Sequence, residues 1–217
     1  MPENALRGVM MALLAVFTLS AARSDGRPGL FDFYLLSLSW SPTYCEGQRD
    51  RANRLQCESA KPKAFIVHGL WPQYDRGYPE YCSTDLPDFV PRSLTETVLD
   101  TMPSPGLVGG QWRKHGTCSG LDQRQYLAAI RRAYERIDIP DFFEDPTRRR
   151  VLSARDVEQA FIASNPGLSA GGIAVSCKAG RVSEVRICLT RSLEFRRCPD
   201  VDRSGCTAQR LVMPADQ

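Results

Sequence analysis

Histidine occurs at two positions in this chain, and each copy lies in a short segment dense in reactive side chains. His68 follows a run of apolar residues in "FIVHGLWP", and His115 follows Lys114 in "QWRKHGTC". Free imidazole has a pKa of about 6.5, so near neutral pH one histidine can accept a proton while another donates one. A fixed cation beside such a pair stabilises negative charge that develops on oxygen during a reaction. The three side chains predict general acid–base catalysis through an anionic transition state.

Attack of an RNA 2'-hydroxyl on its own phosphate is a reaction of this kind. It builds negative charge on the phosphate oxygens, and its first step needs neither a metal nor added water. Aromatic side chains near the histidines add a way to hold bases, since stacking is worth about 1–3 kcal/mol per base. We expect Trp71 and Tyr78 to contact bases, with packing against the protein as the alternative, and we expect Trp112 to lie in the core.

The elements that position these residues follow from the apolar pattern. Apolar runs over residues 30–40 and 63–71 predict two strands, the second of which carries His68. Residues 72–92 lack periodicity and predict a long loop. The remaining patterns predict, in chain order, a helix over 94–100 with a capping box of Ser93 and Glu96, a helix over about 122–137, a helix over 153–164 with Ser153 as N-cap, and antiparallel strands within 173–198, including 193–198. The pattern indicates one α+β domain over residues 23–217.

The first 22 residues have the pattern of a secretory signal peptide, with Arg7 as the positive flank, an apolar run over 9–20 and Ala22 at the cleavage site. An uncleaved anchor helix is the alternative, but the run is too short to span a bilayer comfortably. An exported chain with eight cysteines and no CxxC pair is expected to form disulfides. The spacing argues against a zinc protein.

Charge excludes little. The formal net charge of +3 permits a polyanionic partner without requiring one. We expect the basic clusters at 148–150 and 196–197 to be solvated faces, with contact to RNA as the alternative.

Two segments, "FIVHGLWPQ" and "WRKHGTC", resemble the active-site segments of the ribonuclease T2 family. "FDFYLLSLSWSPTYC" resembles the first strand and turn of that family, and "EVRICL" resembles one of its C-terminal strands. The resemblance implies an α+β fold in which helices flank a central antiparallel sheet stapled by disulfides. It also implies endonucleolytic cleavage of single-stranded RNA through a 2',3'-cyclic phosphate, without a metal or other cofactor.

The same resemblance assigns roles to residues. His115 is expected to take the 2'-hydroxyl proton, His68 to protonate the leaving 5'-oxygen, and Lys114 to stabilise the pentacovalent phosphate. The expected substrate-binding residues are Trp71, Gln73 and Tyr78. The implied disulfides are Cys82–Cys118, Cys177–Cys206, Cys188–Cys198 and, as the remaining pair, Cys45–Cys57.

The second segment departs from the family pattern, which has a histidine and a glutamate where this chain has Gly110 and Gln111. Our hypothesis is that Gln111 joins the catalytic residues by contacting a phosphate oxygen and that activity survives. The alternative is a catalytically lapsed, secreted RNA-binding or toxin-like protein. We expect RNA as the partner, no cleavage of DNA, no membrane association after signal cleavage, a monomer, and a periplasmic or secreted location.

Overall fold

The computed structural model describes residues 26–46 and 54–216. The predicted signal peptide therefore lies outside the described residues. Within the described ranges, no helix is both long enough and apolar enough to cross a membrane.

A six-stranded sheet forms the centre of the fold. Its strands are β1 (Phe33–Trp40), β2 (Phe65–Gln73), β3 (Arg150–Leu152), β4 (Ile173–Lys178), β5 (Arg181–Leu189) and β6 (Leu211–Met213). Strand β1 lies between β2 and β5, and β4 also pairs with β5; these pairings are antiparallel. A short antiparallel pair of β3 and β6 joins the sheet through one parallel contact between β6 and β5.

Helices flank this sheet. In chain order they are α1 (Ser41–Glu46), α2 (Arg54–Cys57), α3 (Arg92–Thr95), α4 (Pro105–Lys114), α5 (Gln123–Glu135), α6 (Ala154–Ser164) and α7 (Pro199–Arg203). The predicted α+β architecture with flanking helices is confirmed.

Strand β1 separates the main core from the open face of the sheet. Its even-numbered residues from Tyr34 to Trp40 join the main core, which also takes in the apolar side of α5. Phe33 and Leu35 point the other way and form a small second cluster with the cysteines at 188 and 198. This alternation, which follows from the two-residue period of a strand, leaves the second face available for a site.

Several predicted elements are confirmed within a few residues: both early strands, the two long helices, and the strands that became β4 and β5. Ser153 caps α6 as expected, because its side chain accepts a hydrogen bond from the backbone N–H of Asp156. Helix α5 begins with its own capping box, formed by Asp122 and Gln125.

Two predictions are wrong. The short helix starts at Arg92 after Pro91, so Ser93 lies inside the first turn and caps nothing, while Glu96 pairs with Arg92 at 2.7 Å. Residues 193–198 form no strand, because Leu193 has a φ of 68°, which turns the chain out of the sheet. A single bridge between Leu189 and Phe195 remains of the expected pairing.

All eight cysteines lie in the described residues and form the four disulfides implied by the resemblance, namely Cys45–Cys57, Cys82–Cys118, Cys177–Cys206 and Cys188–Cys198. The second of these bonds joins the loop after β2 to the segment that follows α4.

Candidate active site

A β-bulge in β2 places His68 on the open face of the sheet. Ser37 pairs with Gly69 while Leu38 pairs with Val67, so His68 is the extra, unpaired residue of the bulge. In a regular strand, residues three apart lie on opposite faces. The bulge shifts the alternation, so that the rings of His68 and Trp71 meet on the same side with centroids 5.3 Å apart.

Helix α4, which the sequence pattern did not predict, carries the second half of the site. Ser104 caps its first turn by accepting a hydrogen bond from Leu107 N at 3.2 Å. His115 is the residue at which the helix ends, and Gln111 lies one turn earlier on the same side. The next residue is Gly116. A Cβ at this position would lie 2.4 Å from the ring of Trp112, so a larger residue would not fit without a shift.

Trp71 connects the two halves. Its ring stacks on His115 with centroids 5.1 Å apart, and its Nε1 donates a hydrogen bond to Gln111 Oε1 at 2.6 Å. These contacts lie directly over Gly69, where a Cβ would come within 2.1 Å of Gln111 Oε1. The tryptophan that we expected to hold a base therefore also holds the two histidines in register.

His115 is held as a neutral imidazole. Its exposed fraction is 5%, and its Nδ1 has no hydrogen-bond partner. Burial, followed by the charges of Lys114 and His68, lowers the pKa of His115 to about 3. A neutral imidazole near physiological pH can accept a proton.

The ring of His68, in contrast, contacts a carboxylate. Its Nδ1 lies 2.5 Å from Glu184 Oε1 on β5, and the second oxygen of that carboxylate accepts hydrogen bonds from Arg186. Burial alone would raise the pKa of Glu184, but the contacts with His68 and Arg186 outweigh it and lower that pKa below its ordinary value. An ionised carboxylate on Nδ1 fixes the proton there and stabilises an imidazolium.

Lys114 stands at the edge of the site with a carboxylate partner. Its Nζ lies 3.3 Å from Glu80 Oε2, and both side chains are partly exposed. Tyr78 has 47% of its surface exposed, and its ring centroid lies 6.3 Å from that of His115. Gln73 is buried and donates a hydrogen bond to the carbonyl of Pro72 at 2.9 Å.

A cavity of about 740 Å³ collects these side chains. The predicted site residues that line it are His68, Trp71, Gln73, Tyr78, Gln111, Lys114 and His115. Among the described residues, no group of three or more His, Cys, Asp or Glu side chains is arranged to hold a metal ion. One cavity therefore contains a neutral imidazole and a carboxylate-bound one, and such a pair can accept a proton and donate a proton in the same reaction.

Comparison with known proteins identifies the family of the chain. The family model for the ribonuclease T2 family matches residues 31–198. The chain belongs to the ribonuclease T2 family. A relative from Aeromonas hydrophila named ribonuclease is 35% identical over 82% of this chain and 81% of its own length. Ribonuclease DdI of Dictyostelium discoideum is 30% identical over 92% of this chain and 95% of its own.

Solved structures give the same fold at low identity. Trichomaglin, described as an S-like ribonuclease, superposes with a TM-score of 0.70 at 19% identity and covers 86% of this chain and 99% of its own. RNase NT in complex with 5'-AMP superposes with a TM-score of 0.65 at 21% identity, covering 83% and 97%. The family match and the curated relatives, rather than these structures, identify the chain as an endoribonuclease of the T2 type.

In this T2 ribonuclease, the side-chain oxygen of Gln111 accepts a hydrogen bond within the protein, and its NH₂ group is available for other partners. Indole N–H is only a donor, so the amide oxygen must face Trp71. The amide NH₂ group is then the part of Gln111 left for other partners. At the neighbouring departure, a Cβ added to Gly110 would meet no atom within 4 Å.

Outside the two active-site segments, some predictions agree with the structure and others do not. Trp112 is fully buried, as expected. The cluster at 148–150 is not uniformly a solvated face, because Arg150 is buried and donates to the carbonyls of Asp145 and Arg148. Arg196 lines the cavity and pairs with Asp75 at 3.0 Å.

The sequence pattern missed Glu184 as a site residue. The signal available was a glutamate and an arginine, Glu184 and Arg186, spaced two apart and separated by a valine within a strand. This spacing puts both side chains on one face of β5.

Proposed function

We propose that this T2 ribonuclease cleaves single-stranded RNA by transphosphorylation, giving a 2',3'-cyclic phosphate and a 5'-hydroxyl end. The observation that carries the proposal is the contrast between the two histidines that face one cavity. His115 is buried and neutral, while His68 is bound to an ionised carboxylate. Two titratable groups of one kind, held in opposite environments, supply the base and the acid of a reaction.

In the proposed reaction His115 accepts the proton of the 2'-hydroxyl as that oxygen attacks phosphorus. Nδ1 of His115 is buried, which leaves Nε2 as the nitrogen that the substrate can reach. As the bond from phosphorus to the 5'-oxygen breaks, His68 gives its proton to that oxygen. One proton is taken up and one is released, so the enzyme needs a proton exchange with solvent between turnovers. Each role contributes about 10²–10⁴-fold to the rate.

Lys114 and Gln111 stabilise the negative charge on the nonbridging phosphate oxygens. A phosphate in the cavity competes with Glu80 for the ammonium group of Lys114. The amide NH₂ of Gln111 is the second donor, because its oxygen is already occupied by Trp71. A glutamate at this position would present a second carboxylate oxygen in place of that donor, so an amide is compatible with binding an anion.

Bases are proposed to bind near Tyr78, Gln73 and the exposed edge of Trp71. Tyr78 offers the most accessible aromatic face beside His115, and stacking on it is worth about 1–3 kcal/mol. The face of Trp71 that stacks on His115 is unavailable to a base, so this residue contacts substrate through what the histidine leaves uncovered.

The first test is cleavage of a mixed-sequence RNA by the purified chain from residue 23 onward in excess EDTA, beside His68→Ala and His115→Ala. We expect wild-type protein to produce cyclic-phosphate ends and to spare DNA, and both variants to be inactive. RNA binding without cleavage by the wild-type protein would refute the proposal and establish the lapsed, RNA-binding alternative.

Gln111→Glu tests the role of the amide separately. We expect this variant to be no more active than wild type. An increase of a hundredfold or more would mean that the natural site is impaired and that the amide is not a competent substitute. Gln111→Met, which removes the donor and the acceptor at similar volume, is the matched control and should lower activity.

We also propose that residues 1–22 direct export and are removed, and that residues 23–217 fold as one monomeric domain in the periplasm or outside the cell. The four disulfides support an oxidising compartment. N-terminal sequencing of the protein recovered from periplasm and medium tests the cleavage site, and sedimentation of that material tests the oligomeric state.

A further inference from the structure

We propose that Glu184 is a positioning residue that holds His68 as the proton donor of the reaction, and that Arg186 holds Glu184 in turn. The inference rests on the proposed role of His68 as the acid. It concerns a residue outside both active-site segments, on a strand that does not adjoin β2 in the sheet.

The contact between His68 and Glu184 crosses β1. Ser37 of β1 pairs with Gly69 on one side and with Arg186 on the other, and Ser39 pairs with Glu184. The open face of β1 carries serines at these two positions, whereas Leu35 and Phe33 occupy it further along. Because these side chains are small, the imidazole of His68 can extend across β1 to the carboxylate. The bulge at His68 orients its side chain toward this face of the sheet.

Both oxygens of the carboxylate are occupied. Oε1 faces His68 Nδ1 at 2.5 Å, and Oε2 accepts from Arg186 Nε at 2.9 Å and Nη2 at 2.8 Å. The Glu184 side chain is 12% exposed, so water competes little for these bonds. Paired hydrogen bonds of this kind are strong and fix geometry as well as charge.

The chemical consequence concerns the nitrogen at which His68 releases its proton. With Nδ1–H fixed on Glu184, the transferable proton of the imidazolium must be on Nε2, the other ring nitrogen. After transfer, His68 is left as the Nδ1–H tautomer without any ring movement. His115 has no such partner on its Nδ1. The carboxylate therefore distinguishes the acid from the base in a site that has two otherwise identical side chains.

Other charges also face His68. Arg186 on β5 lies behind the carboxylate, and His115 and Lys114 at the end of α4 line the same cavity. Of these groups, Arg186 and Lys114 are the cations. Asp75, Arg196 and Asp200 also line the cavity, and Glu184 is the carboxylate that contacts the His68 ring directly, at 2.5 Å.

The test compares Glu184→Gln with wild type on two substrates. With RNA, whose 5'-oxygen leaving group needs a proton, we expect kcat to fall roughly 10- to 100-fold, a share of the about 10²–10⁴ that a general acid supplies, with KM changed little. The alkaline limb of the pH profile of kcat should move to lower pH. With a nucleoside 3'-(4-nitrophenyl phosphate), whose leaving group departs without protonation, the variant should stay within about threefold of wild type. Equal losses on both substrates would indicate a merely structural role and overturn the proposal.

Controls keep the result interpretable if the variant is less stable. Glu158 is another partly buried glutamate with a hydrogen bond, to Val175 N at 3.0 Å, and it lies outside the cavity. Glu158→Gln should leave both activities unchanged. Glu184→Asp, which retains the charge, should recover part of the RNA activity and of the pH profile.

Comparison of the two single variants separates this proposal from the proposed function. If His68→Ala itself retained wild-type cleavage of RNA, the proposed function would fail, whereas an inactive His68→Ala beside a fully active Glu184→Gln would overturn the Glu184 inference alone.

Discussion

Burial of a neutral histidine beside a lysine makes this enzyme sensitive to acid in a predictable way. The pKa of His115 is lowered from about 6.5 to about 3 by burial and by the charges of Lys114 and His68. Below pH 6.5 the unfolded chain therefore binds a proton at this residue that the folded chain does not. The free energy of unfolding therefore falls as the pH falls. The stabilisation linked to His115 is fully present only above the pKa of this residue in the unfolded chain, about 6.5.

The size of the effect follows from the shift. Each pH unit between the two pKa values costs about 1.4 kcal/mol, so lowering the pH from 6.5 to 4 removes about 3 kcal/mol of the free energy of unfolding through His115 alone. His115→Gln has no proton to gain at this position. Urea unfolding of both proteins at pH 7 and at pH 4 should give a loss that is about 3 kcal/mol larger for the wild type.

The comparison uses only the difference between the two pH values, so a change in overall stability caused by His115→Gln cancels. NMR titration of the His115 ring in the folded protein gives an independent measurement. If wild type and variant lost the same stability, or if the ring titrated near pH 6.5, then His115 would take up protons freely in the folded state. The argument that it is a preformed base would then be wrong.

Three further substitutions test other contacts. Gly69→Ala should lower kcat/KM about tenfold with little change in the free energy of unfolding, because a Cβ there breaks the hydrogen bond between Trp71 and Gln111. Activity assays and urea unfolding of the same variant measure the two effects. Replacing both Cys82 and Cys118 by alanine should lower the free energy of unfolding by about 4 kcal/mol, and a loss below 1 kcal/mol in urea would contradict this. Tyr126→Phe removes a buried hydrogen bond to Leu70 O of 2.8 Å and should cost about 1 kcal/mol in thermal unfolding while RNA cleavage is unchanged.

The sequence was sufficient to predict the parts of the site that lie within short segments. His68 and His115 stand in dense motifs, and the apolar pattern placed the first of them on a strand. Both long helices could be predicted from an apolar stripe and a capping residue, because these signals are local.

The parts that could not be predicted depend on register. The contact between His68 and Glu184 joins residues 116 apart in sequence and requires a bulge of one residue in β2. Periodicity predicts that a strand exists but not which residues it pairs with or where an extra residue is inserted. The burial of Arg150 was missed for a similar reason, because it depends on backbone carbonyls that only the folded chain brings to its guanidinium.

The bond between Cys82 and Cys118 has a consequence for where this chain can harm RNA. Cys118 lies three residues after His115, and its partner lies in the loop after β2, which also carries Glu80 and Tyr78. Disulfides persist in oxidising surroundings and are reduced in the cytosol. A copy of the chain in a reducing compartment would carry every proposed catalytic side chain but lack the covalent bond that fixes this loop beside them. If the chain is exported as proposed, this bond forms only outside the cytosol, and cytosolic RNA meets the chain without it.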